Sequence, residues 1–195
     1  MATAAPPAIE PRPRTLLTGT VFAIAACVVY FAAAFGVYLK ERSDALAADV
    51  AFIKKGTIPL VPGGMMLLTA ALSAVMITWA VQAVRNDDRK HAYLALGITL
   101  LFGIANINQQ WFLFNDMALK VANKDSAADL LIYVIAGSHV AMLVAAILFV
   151  GLSALRAFAG QYSRLQADGI QAAAYFWYAT MAIYVCVWYG IYVTK

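Results

Sequence analysis

Two histidines, two cysteines and a run of side-chain amides are the residues of this 195-residue chain whose types suit chemistry inside an apolar protein. His139 lies about nine residues into a long apolar stretch, where a polar side chain is costly unless it faces the protein interior and finds a partner. Its default role is an interhelical hydrogen bond. His91 follows Asp87, Asp88, Arg89 and Lys90 and reads as a solvated surface histidine. Haem and binuclear metal centres need several donor side chains, and two histidines on different elements are too few. No metal, cofactor or catalytic residue is therefore expected in this chain. Cys27 and Cys186 fall in the middle of apolar runs, as small buried hydrophobes do, without the Cys/His spacing of a metal site.

Asn106, Asn108, Gln109 and Gln110, followed by Trp111, form the densest polar cluster. Asn106 and Gln110 share one helical face at i, i+4 spacing, and amides in lipid usually act as hydrogen-bonding glue between helices. A substrate or proton path along that face is the alternative. No Asp, Glu, Lys or Arg lies deep in any apolar stretch, which removes the usual marker of a proton relay or ion-coupled transporter. Gly137, Ala141 and Ala145 recur every four residues, as do Ala32 and Gly36, and small residues at that spacing predict close helix contacts. His139 lies about 200° around the helix from Gly137, so it should point away from that stripe. Trp177, Met181, Tyr184 and Trp188 form a further stripe. Tyr184 is too deep for an interfacial belt, so its hydroxyl implies a partner inside protein, while Tyr189 and Tyr192 read as terminal belt aromatics.

The elements that must position these residues follow from composition. With 64% hydrophobic and 12% charged residues, the chain departs from soluble domains, in which about a quarter of residues are charged. A bilayer-spanning helix needs about 20 mostly apolar residues, and five such stretches occur, at about 15–39, 63–84, 92–114, 130–155 and 170–193. The fold class is an all-α polytopic membrane bundle of five transmembrane helices, one domain over 15–195. Residues 1–14, with Pro6, Pro7, Pro11 and Pro13, are expected to be a disordered tail. Residues 40–56 have a weak apolar face and suggest a short interfacial helix. The charged loop at 85–90 is so short that the second and third spans must form an antiparallel hairpin. Lys and Arg count seven on each side, so the positive-inside rule alone is silent. Arg12 and Arg14 before the first span, and the short basic loop, favour a cytoplasmic amino terminus and an outside carboxy terminus. The net charge of +4 comes with no basic patch for nucleic acid.

Several stretches carry a family likeness in order and spacing over most of the chain. These are 19–39, 68–90 with Ser73, Met76, Trp79 and Ala80, GIANINQQW at 103–111 with Gln110, IYVIAGSHVAML at 132–143 with Tyr133, Gly137 and His139, and 174–193 with Trp177. Together they resemble subunit III of haem-copper (cytochrome c) terminal oxidases, in a divergent five-helix bacterial form. The family's intramembrane glutamate falls on Cys27, and its acidic residue after the glutamine falls on Leu113. A second histidine of the fourth helix falls on Met142, and a histidine and an aspartate of the last helix fall on Tyr178 and Met181.

The resemblance implies a non-catalytic, lipid-binding structural subunit of an aerobic respiratory chain in a bacterial inner membrane. It would pack against the catalytic oxidase subunit I and other subunits, which carry the haem and copper. Phospholipid would lie between its helices, with His139, Gln110, Asn106, Trp79, Trp177 and Tyr184 as lipid-contact or packing residues. Two other readings are an accessory subunit of another membrane enzyme complex that reuses the fold, and a small transporter or lipid-handling protein.

Overall fold

The computed structural model describes residues 14–53, 57–117, 127–162 and 167–194. The described residues form five long helices: α1 (Thr15–Ala47), α2 (Leu60–Arg85), α3 (Arg89–Met117), α4 (Ala127–Phe158) and α5 (Asp168–Val187). A π-helical turn, Trp188–Val193, continues α5. All five are long and apolar enough to cross a bilayer. The expected tail lies outside the described residues, apart from Arg14.

The first four predicted stretches each fall within one helix that reaches beyond them at both ends or at the far end, and the fifth, 170–193, is covered by α5 together with its π-helical turn. The largest difference is in α1, which continues through Lys40 to Ala47 instead of breaking into a separate interfacial helix. Nothing helix-breaking stands in that segment, and Lys40 bonds Asp44 at 2.6 Å across one helical turn. It ends where Asp49 adopts a left-handed φ of 57°. The amides of Asp49 and Val50 then cap the carbonyls of Leu46 and Ala45 at 3.1 and 2.9 Å, the pattern of a Schellman motif. α2 and α4 close the same way, with Asp87 (φ 56°) and Gly160 (φ 71°) in the left-handed position. After Asp87 the chain is already turning into α3, so only three residues join α2 to α3. The expected hairpin is the most extensive helix pair in the bundle.

α5 is the central helix and packs on α1, α2 and α4. In its most apolar window 61% of residues are buried, against 11% in α1, which lies at the periphery. Trp177 of α5 is fully enclosed, and its ring lies so close to Gly103 of α3 that a Cβ there would stand 2.7 Å from it and 2.8 Å from Ile147 of α4. Gly103 is thus the point where three helices meet.

The small-residue stripes behave differently from expectation. Ala141, Ala145, Ala32 and Gly36 are exposed and Gly137 is half-buried, and a Cβ at Gly137 or Gly36 would meet nothing within 4 Å. The close approaches are made instead by aromatic rings against Gly63, Gly103 and Gly190. His139 does point away from the Gly137 stripe, but inward: it is the histidine face that packs and the stripe that faces out. Cys186 is likewise exposed and not buried as expected, while Cys27 is half-buried.

Candidate functional site

Four interior side chains, His139, Tyr184, Trp177 and Ser73, share hydrogen bonds that cross between helices, where lipid offers no substitute partner. His139, 1% exposed, donates from Nε2 to the Thr180 carbonyl oxygen of α5 at 3.2 Å. A carbonyl can only accept, which assigns the imidazole proton to Nε2. The imidazole also lies 5.2 Å, centroid to centroid, from the Tyr184 ring. Tyr184 donates its hydroxyl to the Gly63 carbonyl of α2 at 3.0 Å. Trp177 donates from Nε1 to Ser73 Oγ at 3.0 Å, and the Ser73 hydroxyl donates to Ala70 one turn back at 2.7 Å. These interior bonds tie α5 to α4 once and to α2 twice, and the hydroxyls of Thr78 and Tyr178 add a third link to α2 at 2.7 Å.

Asn106 and Gln110 share the inward face of α3 and are each 1% exposed. None of their amide atoms has a hydrogen-bonding partner in the protein. Five of the six residues singled out from sequence therefore lie in the interior, and His139 and Tyr184 are in contact. Trp79 is elsewhere. It is half-buried towards the α2–α3 loop, its ring 5.6 Å from that of the exposed His91. There Asp88 accepts the His91 backbone N–H at 3.2 Å and faces its Nδ1. Those contacts, the backbone N–H foremost, hold the Asp88 carboxyl below the usual carboxylate range.

Three partners were missed. Thr180 and Gly63 carry no sequence signal of their own, since each serves through a backbone carbonyl that meets a distant helix, and Ser73 is marked only by the family likeness. Tyr192 was read as a belt aromatic, yet it is 1% exposed. Its ring stands against Gly63, where a Cβ would approach it to 2.8 Å. The π-helical turn changes the angular spacing past Trp188 and rolls Tyr192 inward, while Tyr189 remains 59% exposed. Among the described residues no three His, Cys, Asp or Glu side chains converge as metal donors.

On the outer side of the bundle, an apolar groove runs between α1, α4 and α5. It consists of two hollows of about 540 and 520 Å³ that share Leu16 and Phe149. Arg156, Gln161 and Tyr162 line one hollow, and Gly19, Ala23 and Ala145 line the other. Ala145, from the stripe expected to form a helix crossing, thus forms a groove wall.

Five apolar helices tied through an interior layer of hydrogen bonds define a multi-pass membrane protein of the helical-bundle class. The family model described as cytochrome c oxidase subunit III matches residues 12–195. The chain belongs to the cytochrome c oxidase subunit III family. Among its relatives, the cytochrome c oxidase subunit 3 of Myxine glutinosa is 26% identical over 141 residues, covering 71% of this chain and 53% of that one. That of Patiria pectinifera is 25% identical over 181 residues, 88% of this chain and 69% of the relative. That of Paracentrotus lividus is 26% identical over 169 residues, 83% and 64% respectively. The chain spans about half to two thirds of the length of these curated relatives.

Proposed function

We propose that this chain is a non-catalytic, phospholipid-binding structural subunit of a haem-copper terminal oxidase in a bacterial inner membrane. The observation that carries the reading is the family match over residues 12–195. In this account the chain packs beside the catalytic subunit I and other oxidase subunits, which hold the haem and copper. Its own polar interior serves cohesion of the bundle.

Phospholipid binding is supported by the groove between α1, α4 and α5. Each hollow is within the ~300–1,000 Å³ of ordinary ligand sites. From Ala145 to Arg156 the α4 wall runs about 16 Å at 1.5 Å per residue, a length suited to an acyl chain. Arg156 then stands where a phosphate would lie, its Nε held by Gln161 at 3.0 Å. The amino terminus and the α2–α3 loop are assigned to the cytoplasm, and Lys195 to the opposite face.

The test is to express the oxidase with and without this chain. Unchanged haem and copper spectra in the complex lacking it, with less tightly bound phospholipid, are expected. Loss of a haem or copper signal overturns the non-catalytic reading, and unchanged phospholipid overturns lipid binding.

A further inference from the structure

The amides of Asn106 and Gln110 stand out among the interior polar groups because they lie one turn apart on one face and no atom of either has a protein partner, whereas His139, Tyr184, Trp177 and Ser73 each have at least one. Both nitrogens and both oxygens are buried and unpartnered, and the Tyr192 hydroxyl is in the same condition. Asn106 and Gln110 lie one helical turn apart on α3, so their Cβ atoms are about 5–6 Å apart. The Gln110 amide faces the Tyr192 hydroxyl without a hydrogen bond of good geometry between them. Tyr192 is fixed in this place from its other side, its ring against the bare backbone of Gly63. The neighbouring Tyr184 hydroxyl is already committed to the Gly63 carbonyl at 3.0 Å and cannot complete the set.

Buried amides and hydroxyls in proteins are satisfied by protein or by ordered water. A buried water takes about three hydrogen bonds from such groups. Two amides and a phenol supply donors and acceptors of both kinds. With Asn106, Gln110 and Tyr192 each 1% exposed, all three are enclosed by protein, where water is the ordinary partner of a polar group that has none in the chain.

We propose that Asn106 and Gln110 of α3, with Tyr192 of the π-helical turn, form a closed polar site that binds ordered water and thereby joins α3 to the end of α5. The wide π turn is then the means by which Tyr192 reaches this site, in keeping with the frequent placing of such turns at functional positions.

Radiolytic labelling in H₂¹⁸O, with the full chain purified in mild detergent together with the subunits it retains, tests the proposal. Hydroxyl radicals form from water at the site of exposure and oxidise the side chain beside it. Tyr192 and Tyr184 are almost equally buried, so general access predicts equal, low labelling of both. Bound water predicts several-fold higher labelling of Tyr192 than of Tyr184, with loss of the difference in Asn106→Leu/Gln110→Leu. Equal labelling of the two tyrosines in the unaltered protein overturns the proposal, as does a Tyr192 excess that persists in the double variant. Should the double variant fail to fold, the Tyr192-to-Tyr184 ratio of the unaltered protein decides alone.

Discussion

The bond from His139 to the Thr180 carbonyl joins α4 to α5 at a depth where no solvent can replace it. Interhelical hydrogen bonds in membranes contribute about 0.6 to 2 kcal/mol, a sizeable effect on one helix contact and a small one on a large assembly. In the proposed oxidase complex, His139→Phe is expected to weaken retention of this chain by that order while leaving turnover per intact complex nearly unchanged. Loss of turnover with full subunit retention would assign the histidine to a proton path. Trp177 and Ser73 allow a cleaner measurement, because each can be removed singly. A double-mutant cycle of Trp177→Phe and Ser73→Ala should give a coupling of about 0.5–1 kcal/mol; additive effects would show that the 3.0 Å contact contributes nothing. The depth of His139 and Tyr184 was legible in the sequence, because depth follows from counting residues along an apolar run. Their partners were not, because a carbonyl such as that of Thr180 or Gly63 becomes a partner only through the rotation and tilt of another helix.

Elements were more legible than contacts. Spans, order and the α2–α3 hairpin follow from apolar runs and a short charged loop, whereas helix ends depend on capping geometry such as the left-handed Asp49 and Asp87. The small-residue stripes misled because spacing shows which residues share a face and not which face turns inward. This gives a direct contrast. Gly103→Ala forces a methyl group against Trp177 and Ile147 and should destabilise the bundle by about 1–3 kcal/mol, the usual cost of overpacking. Gly137→Ala enters open space and should be neutral, or stabilising by up to about 1 kcal/mol through helix propensity. Unfolding of the two variants in mixed micelles measures both, and the reverse order would restore the stripe as the crossing.

At the α2–α3 loop, the folded Asp88 carboxyl is held below its ordinary value by the His91 contacts. Its stabilising effect is therefore present above the unfolded carboxylate pKa of about 3.9 and disappears as pH falls through the lower, folded value. Protection of the His91 amide from exchange, corrected for the intrinsic rate, should fall with acidification across that range. In Asp88→Ala the protection should be low throughout.

As a whole molecule, the bundle exposes large apolar side chains such as Phe22, Val61 and Leu101 around its outside, as a membrane protein does, and concentrates its polar groups within. Family membership was readable from motifs spread along the chain, each weak alone. The groove between α1, α4 and α5 was not readable, since it depends on which faces of three helices come together, with the small Gly19, Ala23 and Ala145 along its wall. Lipid content, however, is not the most direct test of the proposed oxidase-subunit role. That test is affinity purification of the tagged full chain from its native membrane in mild detergent, followed by native mass spectrometry and optical spectroscopy of the recovered material. The account predicts co-migration with haem-bearing subunits in fixed stoichiometry. Recovery of a stable solitary protein, with no haem-bearing partner in the same peak, would contradict it.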